Sequence, residues 1–430
     1  MNFIHFPPVN MVIEGADAIR LPPMMKIRQK YAADKIDDLA AHIREEMSRT
    51  IGDKQQYQNK RICITAGSRG IPHLDLIIRT VVDELKAWGA RPFIIPAMGS
   101  HGGATPAGQT ELLAGYNITQ DSIGAPILSS FDVVQVGELA DGTPVYCDRY
   151  AYESDGIVIL NKIKPHTDFR GAHESGLAKM LAIGLAKHQG ASLFHMRGFA
   201  SFPELIPQAC AVLLEMAPVV FGVGIVQNAY DEISELEVMA RDRIMERDAA
   251  LLTVAKDRIA KFKFTDMDVL IIDEIGKNIS GNGHDPNITG RSNSPGFDNI
   301  INCQRLFIRG LSPDSHHNAC GLGMADVTTR RCLNSVDFDV TWTNVITAAV
   351  PHGGKIPVYM NNDREALLLA IRTCIGIHYN AARIVRIKNT LAMHEIEVSA
   401  NMRSELQGRS DIEILSEPYD LVFDADGFLW

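Results

Sequence analysis

Five short stretches of this chain carry residue types that bind anions, move protons or hold a metal. Ser68-Arg69 lies between Gly67 and Gly70, where backbone amides and a guanidinium favour a phosphate or a carboxylate. His101 sits between Gly99-Ser100 and Gly102-Gly103. Glycines let a backbone approach a ligand closely, and an imidazole exchanges a proton near neutral pH. Asn161 to His166 reads N-K-I-K-P-H, a basic loop in an acidic protein. Ser175-Gly176-Leu177-Ala178-Lys179 puts a lysine in the first turn of a helix, the end whose partial positive charge disfavours a cation. An anionic ligand there compensates, or a covalent bond that removes the charge. His195 follows sixteen residues after that lysine. Each has a plainer reading beside the chemical one. Arg69, Lys162 and Lys164 fit solvated turns, His101 a polar turn residue, and His195 a half-buried structural histidine.

The elements around these residues follow a parallel-sheet grammar. Residues 62–66 read as a short apolar strand, followed by the Ser68-Arg69 loop and a helix over 76–88 that ends at Gly89. Residues 93–97 form the next strand and lead into His101. Thr105-Pro106 then opens a helix, with threonine as cap and proline at the first helical position. After an irregular stretch over 124–154, residues 157–160 read as a strand and 161–174 as a loop. Ser175 is expected to cap a helix from Gly176 to about His188. Residues 219–226 read as a buried strand and 239–263 as a long charged helix. Arg69, His101 and His166 thus each follow the carboxyl end of a strand, the place where ligands bind in open α/β sheets.

In the second half, 269–273, 306–308, 340–343, 356–360, 383–388 and 396–398 are strand candidates and 364–374 a helix. The Gly-rich stretch 280–296 is a long loop, and loops of that length are more often functional than spacers. The expected architecture is α/β in two domains. Residues 1–264 form an N-terminal cofactor-binding and catalytic domain, a parallel sheet with flanking helices. Residues 265–430 form a smaller mixed α/β domain, whose last residues have the option of packing back on the first. The active site is expected in the cleft between the domains.

Length and composition agree with this. A chain of 430 residues exceeds one ordinary core, and 46% hydrophobic residues suffice for two. A net charge of −10 disfavours nucleic acid or an anionic membrane as partner. The opening MNFIHFPPVNMVIEG has no basic start with an apolar run, and no stretch reaches the length of a membrane span. Seven dispersed cysteines without a C-x-x-C pair argue against disulfides and a thiolate zinc site, and predict a reducing cytoplasm. Gly222-Val223-Gly224 lacks the third glycine of a dinucleotide fingerprint. His284 and His316-His317 have no ligand-like spacing.

Taken in order, Ser68-Arg69, Gly99 to His101, Pro165-His166, Ser175 to Lys179 and His195 resemble the nickel-dependent lactate racemase family, over roughly residues 60–200. The resemblance implies an isomerase that racemises or epimerises a 2-hydroxy acid through a 2-keto acid. It implies a nickel-pincer nucleotide held covalently by Lys179, with His195 as the protein's nickel ligand. The cofactor's own soft donors would complete a square-planar site. It also implies His101 and His166 as opposed acid/base groups, one per enantiomer. Arg69, Ser68, Ser175 and Gly176 would hold the cofactor or an anion, and Lys277 would complete an anion site. The partners implied are the small hydroxy acid and the enzymes that build and insert the cofactor, and oligomerisation is left open. Two departures bear on the substrate. Ala66 stands where the family usually carries an acidic residue, and the stretch from Thr167 to Glu174 is longer than in the lactate enzyme. They imply a larger or more polar 2-hydroxy acid, contacted by Arg170 or His173. Two other readings stay open: an α/β binding protein for an anionic ligand without pincer chemistry, and an NAD-dependent dehydrogenase.

Overall fold

The computed structural model describes residues 3–67, 71–99 and 101–430. The chain divides into two units. One is Ala32–Ile259, and the other joins Met1–Tyr31 to Ala260–Trp430. The N-terminal 31 residues, expected in the first domain, therefore belong with the second half. The reason is strand β1 (Met24–Gln29), which pairs antiparallel with two strands from the far end of the chain and buries Met25 and Ile27.

The unit Ala32–Ile259 is built on β2 (Arg61–Ala66) and β3 (Arg91–Pro96), the hairpin β4 (Val133–Glu138) and β5 (Pro144–Asp148), then β6 (Gly156–Lys162), β7 (Val219–Gln227) and β8 (Ile233–Ala240). Its main sheet has the order β3-β2-β6-β7-β8. The first four strands are parallel and β8 is antiparallel to β7. Side chains alternate between two covered faces, which is why the strands read as continuous apolar runs. Ile62, Ile64, Val158 and Leu160 pack with Ile77, Ile78 and Val81 of the helix Leu74–Ala87. Cys63, Ile157 and Ile159 pack on the other side with Leu177, Leu181 and Phe202. The expected cap at Thr105 is present, its hydroxyl accepting from Gly108 N at 3.1 Å with Pro106 next in line.

Three expectations differ in this unit. The stretch over 124–154 contains the hairpin β4–β5. The long helix over 239–263 begins only at Ile244 and ends at Arg258, because the residues before it form β8 against β7. The helix from Gly176 is broken into a turn at Leu177–Lys179, a π turn at Met180–Gly184 and a helix Lys187–Met196. Single π turns inside helices recur at functional sites.

The second unit holds β9 (Asp266–Ile272), β10 (Asn302–Ile308), β11 (Val327–Thr329), β12 (Val358–Met360), β13 (Ile384–Ile387), β14 (Glu395–Ser399) and β15 (Ile412–Ile414). With β1 they form one sheet in the order β12-β11-β10-β9-β13-β14-β1-β15. The expected strand over 340–343 lies inside a helix, Phe338–Thr347, because Asp337 caps it through the amides of Asp339 and Val340. A four-residue apolar run does not discriminate strand from helix, and the cap decides it. The seven cysteines form no disulfide with one another. Among the described residues no helix is long and apolar enough to cross a membrane.

One buried group makes this unit acid-sensitive. His284 is fully buried with Nδ1 3.0 Å from Thr289 Oγ1, and burial pushes its pKa down from 6.5 to about 4. The unfolded chain therefore takes up a proton near pH 6.5 that the folded chain refuses until about pH 4. Stability from this group is complete above pH 6.5 and declines as pH falls, by about 2 kcal/mol between pH 6.5 and 5. Urea unfolding at pH 7 and pH 5 checks this, and His284→Gln is expected to shrink the acid loss by that amount.

Candidate active site

The loop from His166 to Gly176 is closed at its neck by a backbone pair. Lys164 N donates to Ser175 O at 2.9 Å and Ser175 N to Lys164 O at 3.2 Å. The turn begins one residue later than expected, with Gly176 and not Ser175 at its cap position and no cap bond from that residue's own side chain. The cap comes from the helix Ile244–Arg258. Asp248 Oδ1 accepts from Leu177 N at 2.6 Å, and Asp248 Oδ2 lies 2.8 Å from His173 Nδ1. Gly176 makes that approach feasible, since a Cβ there would stand 2.2 Å from Asp248 Oδ1. Asn161 Nδ2 donates to Gly176 O at 3.0 Å and fixes the same corner to the end of β6.

A second carboxylate shapes the middle of the loop. Glu174 has no exposed side-chain surface. It accepts from His166 N at 2.7 Å and Gly171 N at 3.2 Å, and it pairs with Lys256 Nζ at 2.6 Å. Arg170 stands 3.9 Å from the same carboxylate. Asp248 and Lys256 thus reach from one helix to both ends of the loop. The role expected for His173 at the substrate gives way to this framework, because its ring is buried and bonded to Asp248.

The loop and the turn bring three of the expected residues together. His166 Nε2 lies 2.6 Å from Lys179 Nζ. His195 faces Phe199 and Phe202 with ring centroids 5.4 Å away in each case, and His166 stacks near Phe169 at 4.4 Å and Phe199 at 5.9 Å. Burial, and secondly the nearby Lys179 ammonium position, hold the His195 pKa at about 4, so its imidazole is neutral at pH 7. Its Nδ1 is buried with no hydrogen-bond partner among the described residues. No three His, Cys, Asp or Glu side chains gather there or elsewhere among the described residues as a metal set. A metal at His195 would therefore draw its other donors from a bound group.

His101 is exposed and begins a short turn after β3. Buried Gln109 holds that turn, donating to Gly99 O at 3.1 Å and His101 O at 3.2 Å. Gly102 has φ +67°, and a Cβ on it would meet Gln109 N at 2.7 Å. The π turn packs on the end of the same strand, where a Cβ on Gly184 would sit 2.8 Å from Ala97 O. Ser68 and Arg69 lie outside the described residues. Lys277 belongs to the other unit, where its ammonium donates to Gly281 O at 2.6 Å. Asp248, Glu174, Lys256 and Gln109 were missed in the sequence. Only Gly176, a glycine at the very start of a helix, hinted that a side chain had to come close.

Residues 19–204 match the family model of the lactate racemase N-terminal domain. The structure of the lactate racemase apoprotein from Thermoanaerobacterium thermosaccharolyticum superposes with a TM-score of 0.51 at 13% identity, covering 91% of this chain and 99% of that one. A protein from Thermotoga maritima gives a TM-score of 0.46 at 13% identity, over 75% of this chain and 87% of its own. No curated protein sequence matches the chain. Residues 19–204 are thus similar to the lactate racemase N-terminal domain, and the chain shares the fold of the lactate racemase apoprotein.

Proposed function

We propose that this protein is a racemase or epimerase of a 2-hydroxy acid that works with a nickel-pincer nucleotide tethered to Lys179. The observation that carries the reading is the 2.6 Å contact of His166 Nε2 with Lys179 Nζ, beside a His195 whose buried Nδ1 has no hydrogen-bond partner among the described residues. A lone imidazole with a free donor atom suits a metal whose remaining donors arrive with a cofactor. A lysine in the first turn of a helix suits a nitrogen that loses its charge on acylation. When bound, the cofactor supplies a hydride acceptor and donor for the carbinol carbon.

The chain's own residues do the rest. Lys179 holds the cofactor, and Asp248 fixes the turn that carries it. His195 holds the metal against the wall of Phe199 and Phe202, which also keeps water away. His166 and His101 are the acid/base pair at the substrate hydroxyl, each removing the proton from one enantiomer and returning it to the other. Arg69, with Ser68, would hold a phosphate or carboxylate, and Arg170 is a further candidate for the substrate's anionic end. The substrate class is a 2-hydroxy acid larger or more polar than lactate, in keeping with the long 167–174 loop and with Ala66 in place of an acid.

The test is to produce the protein together with the enzymes that build and insert the cofactor. It is then given single enantiomers of 2-hydroxy acids and aldonates, scored by chiral chromatography without added NAD. Interconversion of at least one pair, with about one nickel per chain, is expected. A loaded protein that isomerises none would instead favour the anion-binding module. A requirement for free NAD would favour the dehydrogenase.

A further inference from the structure

The contacts around His166 determine more than its position. Asp168 N donates to His166 Nδ1 at 3.0 Å, so that nitrogen presents a lone pair and carries no proton. The ring proton is then on Nε2, which points at Lys179 Nζ from 2.6 Å. Two N–H groups cannot meet head-on at that distance, so the lysine nitrogen has to accept. An ammonium has no lone pair with which to do so. We propose that Lys179 stands in the cofactor-free protein as an uncharged amine, held in that state by the Nε2 proton of His166, and is thereby poised for acylation.

The other groups facing this pair fit the assignment. The apolar rings of Phe169 and Phe199 pack on His166, and those of Phe199 and Phe202 on His195. Three nearby carboxylates among the described residues have other bonds. Asp168 Oδ2 is 3.6 Å from His166 Nδ1, beyond hydrogen-bond length, and accepts from Thr167 Oγ1 at 2.7 Å. Glu174 is held by the amides of His166 and Gly171 and by Lys256, with Arg170 nearby, and Asp248 by Leu177 N and His173.

This deepens the reading of Lys179 as a tether and adds a role for His166 before any substrate arrives. The electrophile it suits is an activated carboxyl or thiocarboxyl carbon. The amine lone pair forms the new C–N bond, and the bond to the leaving group breaks with its electron pair. The second amine proton departs with that group. Once acylated, the nitrogen no longer accepts a hydrogen bond, so this contact with His166 ends with acylation.

Competitive acetylation of the cofactor-free full chain tests this. Trace isotopic acetic anhydride is applied across pH 6 to 11 and Lys179 is read by peptide mass spectrometry. Its reactivity is expected to be half-maximal at or below about pH 8, against about 10.4 for an ordinary lysine. His166→Leu is expected to raise that midpoint by at least about one pH unit, and 15N NMR of the wild-type protein to report the Nε2–H tautomer of His166. An ordinary lysine midpoint overturns the proposal, as does an Nδ1–H tautomer or a midpoint unmoved in His166→Leu. These readouts need neither nickel nor turnover, so they fail or succeed separately from the racemase reading.

Discussion

Lys179→Ala is expected to abolish the covalent mass increment on the peptide that carries residue 179 and to lower isomerisation by at least about three orders of magnitude. The size follows from what a tether does. A covalently held cofactor meets its metal ligand at an effective concentration far above that of any cofactor free in solution, and well-oriented intramolecular partners reach effective molarities of about 10⁵ M and beyond. The loss falls on function, because Lys179 is half-buried at the surface of a turn whose amides are capped from elsewhere by Asp248. Lys179→Arg separates side-chain length from nucleophile. It keeps a long nitrogenous side chain in place but supplies no acylatable amine, so it should be as inactive as the alanine variant. Full cofactor retention and activity in either variant would remove Lys179 from the tether role. His195→Ala gives the complementary result, a chain that still gains mass at Lys179 but holds substoichiometric nickel.

The parts of this site that were legible from the sequence are those whose signal is local. Strand ends announce themselves by short apolar runs followed by glycine or a basic loop, and that sufficed to put His101 after the end of β3 and His166 after the end of β6. The electrostatic misfit of Lys179 was likewise a first-turn property, readable without any tertiary contact. The supports were not legible, because each depends on a partner far away in the chain. Asp248 and Lys256 look like ordinary members of a charged helix, and nothing between residues 240 and 260 says that two of its acids and bases face inward onto a loop about 80 residues earlier. Ser175 illustrates the same limit from the other side. Its type and position fit a cap, but Gly176 takes the cap position and Asp248 binds the first amide. Strand β1 could not have been assigned to the second unit by pattern, since its hydrophobic alternation is equally compatible with either sheet. Its membership is settled by its partners β14 and β15.

The other large effect concerns a charge in the core. Lys187 and Asp148 have no exposed side-chain surface, and Lys187 Nζ lies 2.9 Å from Asp148 Oδ2 in an ion pair that lacks hydrogen-bond geometry. The same ammonium donates to Pro96 O at 2.5 Å, and Asp148 Oδ1 accepts from Ala151 N at 3.0 Å. Lys187 also sits at φ +53°, a left-handed conformation unusual for a side chain of its size, at the joint between the π turn and the helix that carries His195. One side chain therefore ties the end of β3, the end of β5 and the start of that helix. Asp148→Ala leaves a buried ammonium uncompensated and is expected to cost about 3–5 kcal/mol of unfolding free energy. Lys187→Met leaves the carboxylate in the same position and is expected to cost a similar amount. The double variant Lys187→Met/Asp148→Leu removes both charges and should recover most of the loss, because apolar residues of similar volume replace buried pairs at little or no net cost. Urea unfolding of the four proteins gives the coupling energy directly. Additive losses in the double variant would show that the two residues act independently. Because the pair sets where the His195 helix begins, both single variants should also bind nickel below stoichiometry while still acquiring the mass increment at Lys179, whose own turn is held by Asp248 and not by Lys187.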